Sequence, residues 1–289
     1  MSSDAVKEMS HIFKTKSFVK TYSLAEKISG PFTEALVDQT GIASYSNPPI
    51  ILDNASGTGI VCSILNTKTS EQVRQGWELT AGDFSEAMVE YAAQRAKEEG
   101  WINASAKVVD AQDTKLPSGH YTHVFATFAF QAIPNHNAAL KESFRILKPG
   151  GMIALATWKH VPWITLVKHA ITTISPDLYY PDSDDFIKTM GQGWEVEASI
   201  GSLLRDEGFM DIHVRSITRS ISLSIADLVE ISLAILPALL AKYWTQQQRD
   251  VYAEQVSGAL QQYLEREYGV DALVPLEPVA LIATARKPE

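Results

Sequence analysis

The sequence predicts an α/β protein, a mostly parallel sheet with helices packed on its faces. Three observations carry that reading. Short apolar runs alternate with segments of helical periodicity along the chain. The first clear run, Pro49-Ile50-Ile51-Leu52-Asp53, is too continuously apolar to leave one face in water, as expected of a strand buried on both sides. It then runs into the turn Asn54-Ala55-Ser56-Gly57-Thr58-Gly59 and a helical pattern, the strand–turn–helix order of ligand-binding α/β sheets.

The elements follow in order. After the strand over 49–53, the glycines open a helix over about 60–65. Trp77-Glu78-Leu79-Thr80-Ala81 is the second strand, and Ser85 can cap the next helix, which runs to about Glu99 and stops at Gly100. Strands three and four are read over 106–109 and 121–127, a helix over 137–147, and the fifth strand over 152–157 after the turn Lys148-Pro149-Gly150-Gly151. Residues 158–198 fit no simple βα unit. A helix over 198–206 closes at Gly208, a strand covers 212–217, and two helices begin at capping-box patterns, Ser224-x-x-Asp227 and Thr245-x-x-Gln248, the second ending at Gly269. The seventh strand spans 279–284.

Composition narrows the function. The 289 residues carry 25 Lys+Arg against 34 Asp+Glu, a net charge of −9, with no basic run to meet a polyanion, so nucleic acid is not an expected partner. The one cysteine, Cys62, excludes an intrachain disulfide and a Cys-based zinc site. The leading segment Met1-Ser2-Ser3-Asp4-Ala5-Val6-Lys7-Glu8 has no signal-peptide core, and the most lipophilic stretch, 231–241, falls short of the roughly 20 residues of a membrane span. A cytoplasmic protein that spans no membrane is expected, with its oligomeric state left open, a monomer included.

The glycine turn selects among ligands. A dinucleotide fingerprint needs a third glycine, but Cys62 stands there when the pattern starts at Gly57, and Ile60 when it starts at Ala55. A phosphate-cradling loop needs a lysine after its last glycine, and none follows Gly59. What remains, Asp53-x-Ala55-x-Gly57-x-Gly59, resembles the first motif of class I S-adenosylmethionine-dependent methyltransferases. Gly82-Asp83-Phe84-Ser85-Glu86-Ala87-Met88, Val109-Asp110-Ala111 and Arg145-Ile146-Leu147-Lys148-Pro149-Gly150-Gly151 are similar to later motifs of that family, in order and spacing. The resemblance implies a Rossmann-like seven-stranded sheet with its last strand antiparallel, S-adenosylmethionine as cofactor, S-adenosylhomocysteine as product, and no metal. It implies that Asp53, Ala55, Gly57 and Gly59 line the methionyl end and that Asp83 accepts from the ribose hydroxyls. Phe84 and Met88 would lie beside the adenine, Asp110 and Ala111 on its polar edge, and Thr127 at the end of strand four. Ala55 stands where the family usually has glycine, and a negative φ is expected there.

For the substrate side, Phe130, Gln131, Trp158 and Trp163 fall at or beyond strand ends. Lys16-Ser17-Phe18-Val19-Lys20-Thr21-Tyr22 looks like the family's N-terminal lid, with Tyr22 toward the cofactor and Phe18 toward the substrate. No catalytic residue is assigned; His136, His160 and His169 are the candidates for a base, and a thiol acceptor needs one least, because its pKa near ~8.5 leaves some thiolate at neutral pH. Gly119-His120-Tyr121-Thr122-His123-Val124-Phe125, Lys14-Thr15-Lys16-Ser17-Phe18-Val19 and Val274-Pro275-Leu276-Glu277-Pro278-Val279-Ala280-Leu281 resemble fungal secondary-metabolism methyltransferases, above all bis-thiomethyltransferases of reduced epidithiodiketopiperazines of the gliotoxin type. That likeness implies two successive S-methylations of a small dithiol. O- or N-methylation of another fungal metabolite is the alternative within enzymes, and a non-catalytic cofactor-binding partner protein the alternative outside them.

The expected organisation is a single methyltransferase domain over 1–289. It comprises an N-terminal helical lid (1–46), a cofactor-binding core (47–157), a connector (158–198), the end of the sheet (199–218 and 276–286) and a helical cap (219–275) whose first helix, after Ser224, carries apolar residues on every face over 225–240.

Overall fold

A computed structural model describes residues 15–289; the leading segment 1–8, the first part of the expected lid and Lys14 lie outside the described residues. The chain forms two compact units. The first, the sheet unit, holds Ser29–Trp158, Gly191–Ile217 and Ala280–Glu289. The second, the helical unit, holds the described part of 1–28 with Lys159–Met190 and Thr218–Val279.

Seven strands form one sheet: β1 Ile50–Asn54, β2 Glu78–Asp83, β3 Ala104–Val108, β4 Tyr121–Thr127, β5 Leu147–His160, β6 Met210–Thr218 and β9 Val279–Arg286, in the order β3-β2-β1-β4-β5-β9-β6. The sheet is mostly parallel with one antiparallel strand, as expected. The chain leaves β1, builds outward through β2 and β3, and returns to place β4 on β1's other side. That reversal makes the β1–β4 boundary a topological switch point, and α/β sheets take their ligands beyond the carboxyl ends of the strands at such points.

The continuous apolar runs are explained by burial on both faces. Successive side chains of a strand point to opposite sides. Ile51, Phe125, Ala154 and Ile282 accordingly enter one core cluster, with Phe32, Leu36, Leu65 and Trp77. Their neighbours Leu52, Val124, Ile153 and Leu281 enter the other, with Leu140, Trp194, Leu204 and Phe209. β3 and β6 are the sheet's edges and are mostly exposed, which is why their sequences are polar.

The helices of the sheet unit start and stop where local chemistry requires. They include the second half of α1 (Lys16–Thr40), then α2 (Ile60–Lys68), α3 (Glu71–Gly76), α4 (Glu86–Glu98), α5 (His136–Ile146) and α8 (Glu197–Asp206). The Ser85 hydroxyl accepts from the Met88 amide to cap α4. Gly100 and Gly208, at φ +64° and +103°, turn the chain out of α4 and α8.

In the helical unit the 158–198 stretch contains two helices, α6 (Pro162–Ile174) and α7 (Ser183–Met190). Pro162 opens α6 at a position where its missing amide costs nothing. Three helices follow where two were expected: α9 (Ile225–Tyr243), α10 (Gln246–Tyr252) and α11 (Gln255–Tyr268). Thr245 makes the full capping box with Gln248. The break at Ala253 and Glu254 carries no glycine or proline, so no sequence signal marks it. A two-stranded antiparallel hairpin, β7 (Ile221–Ser224) with β8 (Leu273–Leu276), ties the two ends of this helical segment together. Leu228, Leu236, Leu239 and Leu240 of α9 are buried. Lys27 pairs with Asp227 at 2.6 Å and the Thr21 hydroxyl donates to Glu230 at 3.3 Å, tying the first part of α1 to α9.

Candidate functional site

The turn after β1 is held by three hydrogen bonds, two from its main chain to β2 and one internal. The Ser56 amide donates to the Gly82 carbonyl at 2.9 Å, the Gly59 amide to the Ser56 carbonyl at 2.9 Å, and the Gly57 amide to Asp83 Oδ2 at 2.8 Å. Reversing that abruptly takes left-handed backbone at three residues: Ala55 (φ +62°), Gly57 (+53°) and Gly59 (+83°). The expectation of a negative φ at Ala55 is therefore corrected. The chain must turn at once for the next two amides to reach β2, and alanine's single methyl tolerates that geometry at a cost of about 1 kcal/mol. A Cβ at Gly59 would sit 2.8 Å from Cη2 of Trp101, so a substitution there would have to displace the indole as well as hold a φ of +83°.

Two acids meet under this turn. Asp83 is buried, accepting from Gly57 on one oxygen and from the Ser85 amide at 2.9 Å on the other. Burial pushes its pKa up, and the amides of Ser85, Gly57 and Phe84 oppose that. Asp53 is fully buried, and desolvation, with some repulsion from Asp83, lifts its pKa to about 8. The Cys62 thiol donates to Asp53 Oδ2 at 3.7 Å, and burial beside Asp53 keeps that thiol protonated. Asp53 Oδ1, both amide atoms of Asn54 and the Ser56 hydroxyl are buried and have no hydrogen-bond partner among the described residues. Unpartnered buried polar groups each cost about 1–3 kcal/mol. Four such atoms on one four-residue stretch fit a ligand that brings its own donors and acceptors, such as an ammonium, a carboxylate and a diol.

The neighbouring strand ends carry the remaining expected cofactor contacts. Phe84 is exposed and Met88 buried, one at the end of β2 and one on α4. The Val109 amide donates to the Asp83 carbonyl at 2.9 Å, so Asp110 follows Asp83 at the end of the adjacent strand. Asp110 is exposed, and its Oδ1 accepts from the Gln112 amide at 2.9 Å and from the Gln112 side chain at 3.1 Å. Ala111 is buried beside it, and Thr127 is buried at the end of β4.

On the expected substrate side, the residues separate. Phe130 is fully buried against Trp194, ring centres 4.6 Å apart, and belongs to the core. Gln131 spends both ends of its amide on Trp158: Nε2 donates to the Trp158 carbonyl at 2.8 Å and Oε1 accepts from the Trp158 amide at 2.7 Å. It therefore positions Trp158. That indole stacks on Phe128, centres 4.0 Å apart and planes 20° apart. Phe128, which sequence reasoning passed over, has φ +57°, and its amide donates to the Ala156 carbonyl at 2.6 Å. Nothing in the local sequence signals that backbone. Phe18, Tyr22 and Trp163 belong to the helical unit, where Phe18 stacks on Tyr22 at 5.4 Å and Trp163 is buried on α6.

The histidines are engaged separately. His136 Nδ1 meets Gln192 Oε1 at 3.2 Å, His160 meets the Ser183 hydroxyl at 2.9 Å, and His169 meets the Tyr263 hydroxyl at 3.0 Å. His123 is buried with its pKa lowered to about 4, mainly by desolvation, and so stays neutral. Among the described residues there is no group of three or more His, Cys, Asp or Glu placed to hold a metal ion, and no helix long and apolar enough to cross a membrane.

A family profile described as a methyltransferase domain matches residues 51–151. "Methyltransferase tpcH" of Aspergillus fumigatus is 44 % identical over 278 residues, covering 96 % of this chain and 99 % of that protein. "Acetylaranotin bis-thiomethyltransferase" of Aspergillus terreus is 41 % identical over 285 residues, covering 98 % and 99 %. Among solved structures, phosphoethanolamine N-methyltransferase 2 of Haemonchus contortus with S-adenosylhomocysteine aligns with a TM-score of 0.55 at 18 % identity, over 95 % of this chain and 58 % of that one. YcgJ of Bacillus subtilis aligns at 0.52 and 14 %, over 88 % and 98 %. At such identities these two speak for the fold alone.

Proposed function

Because this chain belongs to the class I S-adenosylmethionine-dependent methyltransferases, we propose that it methylates the two thiols of a small cyclic dithiol, of the reduced epidithiodiketopiperazine kind, in succession. The observation that carries this reading is the near full-length similarity to a protein named as a bis-thiomethyltransferase.

The cofactor, when bound, would supply an electrophilic methyl on a sulfonium, which the acceptor sulfur would take with the C–S electron pair left on S-adenosylhomocysteine and the thiol's proton passed to solvent. The chain's part is to bind and align, which supplies most of the acceleration for such a displacement. In the proposed site Asp83 accepts from the ribose hydroxyls while the amides of Gly57 and Ser85 hold its carboxylate still. Asp53, Asn54 and Ser56 offer the methionyl end the polar atoms that have no partner within the described chain. Asp110, held by Gln112, faces the adenine edge with Ala111, and Phe84, Met88 and Thr127 complete that side. The resemblance alone carries Tyr22 as a cofactor contact and Phe18 and Trp163 as substrate contacts. A thiol ionises enough near neutral pH to need no dedicated base, which suits histidines that are each engaged elsewhere.

Incubating the protein with S-adenosylmethionine and a reduced cyclic dithiol, then weighing the products, tests the proposal. Two added methyl groups on sulfur are expected. Methylation only of hydroxyl or amine acceptors would make the enzyme an O- or N-methyltransferase, and cofactor binding without turnover of any acceptor would make it a binding partner.

A further inference from the structure

We propose that the Phe128–Trp158 stack is the platform on which the acceptor's ring lies, and that Phe128 sets the enzyme's preference for flat cyclic acceptors over flexible ones. This inference rests on the small-molecule reading above and names the part of the substrate recognised.

Position comes first. Phe128 directly follows the carboxyl end of β4, Trp158 lies two residues before the carboxyl end of the adjacent strand β5, and Asp53 of β1 pairs in register with Phe125 of β4. The stack therefore sits beside the strand end that carries the polar turn, on the side of the sheet where ligands enter. The backbone gives the second argument. A left-handed φ of +57° is a genuine outlier for a bulky aromatic residue. Such strain persists where surrounding structure enforces it and clusters at ligand sites.

Here the enforcement is visible. The 2.6 Å bond from the Phe128 amide to Ala156 fixes the main chain. Phe32, itself fully buried, packs nearly perpendicular to both rings, its centre 6.3 Å from that of Phe128 and 5.5 Å from that of Trp158. Gln131 grips the Trp158 main chain at both polar atoms. A pair that only filled the core would be buried as Phe32 is, and would need no strained backbone. Phe128 and Trp158 are instead both half-buried. A rigid, partly exposed aromatic pair favours planar rings, which stack on it with little entropy cost, over acyclic chains that must be ordered first.

The test uses the full chain saturated with S-adenosylhomocysteine and two thiol-free probes, a cyclic glycine–phenylalanine dipeptide and its linear amide. Wild type, Phe128→Gly and Phe128→Leu are compared by calorimetry; glycine suits the backbone conformation, so that variant folds without strain. The expected result is saturable binding of the cyclic probe to wild type. Phe128→Gly should weaken it about tenfold and Phe128→Leu by less, with the linear probe and S-adenosylhomocysteine each changed under twofold. No binding of the cyclic probe to wild type, or equal binding by all three proteins, overturns the proposal. Product masses from a cyclic dithiol report on the thiol reading separately: cyclic-probe binding lost in Phe128→Gly, with no S-methylation by wild type, supports the platform and rejects the thiol.

Discussion

Replacing Asp53 by asparagine should flatten the pH dependence of stability of the cofactor-free protein. Asp53 is fully buried, one carboxylate oxygen has no partner among the described residues, and the other has only the Cys62 thiol. Its pKa rises from 3.8 to about 8, so between those values the folded chain holds a proton that the unfolded chain has lost. The stabilisation from that proton is complete below about pH 4, declines as pH rises and is gone above about pH 8. Each pH unit inside the window is worth about 1.4 kcal/mol, so wild type should lose about 3 kcal/mol between pH 5 and pH 7 that Asp53→Asn does not. Asp83, raised in the same direction by its own burial, is present in both proteins and cancels to first order. Urea unfolding of both proteins at pH 5, 6 and 7 measures the difference. Parallel profiles, differing by under about 0.5 kcal/mol across the range, would refute the buried, protonated Asp53. The same argument extends to binding. If the carboxylate ionises to meet a cationic cofactor, roughly 0.9 proton should leave per S-adenosylmethionine bound at pH 7, read by calorimetry in two buffers of different ionisation enthalpy.

Asp83→Ala should weaken S-adenosylmethionine at least tenfold in a calorimetric titration, because the ribose acceptor goes and the Gly57 and Ser85 amides lose theirs; unchanged affinity would remove Asp83 from the site. Ala55→Gly should stabilise the protein by about 0.5–1 kcal/mol in urea unfolding, since relief of the left-handed strain outweighs the added freedom of the unfolded chain. A loss of stability would mean the methyl's packing exceeds its strain. Gln131→Ala should cost about 1–3 kcal/mol by removing the two hydrogen bonds it makes to the Trp158 main chain. In steady-state kinetics it should raise KM for the acceptor while affinity for S-adenosylmethionine stays within twofold; the reverse pattern would place Gln131 on the cofactor instead.

Much of the fold was legible locally. The strand over 121–127 is found with the same bounds, and Ser85, Thr245, Gly100, Gly208 and Gly269 cap or end helices where their chemistry placed them. The glycine turn and its acids also read directly, because a tight turn needs particular residue types at fixed spacing, and Gly59 shows why. Less legible were α6, α7 and the β7–β8 hairpin. A hairpin whose strands lie about fifty residues apart has no turn to announce it, and the break between α10 and α11 has no breaking residue.

By itself, then, the sequence determined the sheet and the tight turn after its first strand, since burial on both strand faces and glycine at forced turns are written in residue type, while the cofactor followed from motifs whose order and spacing resemble one family. Tertiary structure alone decided the sign of φ at Ala55, the strain at Phe128, the use of Gln131 as a clamp and the rise of Asp53's pKa. Each of these depends on what lies across space: an amide that must reach β2, a carbonyl on β5, a main chain 27 residues away, and the absence of water around a carboxylate. Residue type states what a group can do, and only its surroundings settle which of those possibilities has the lower free energy.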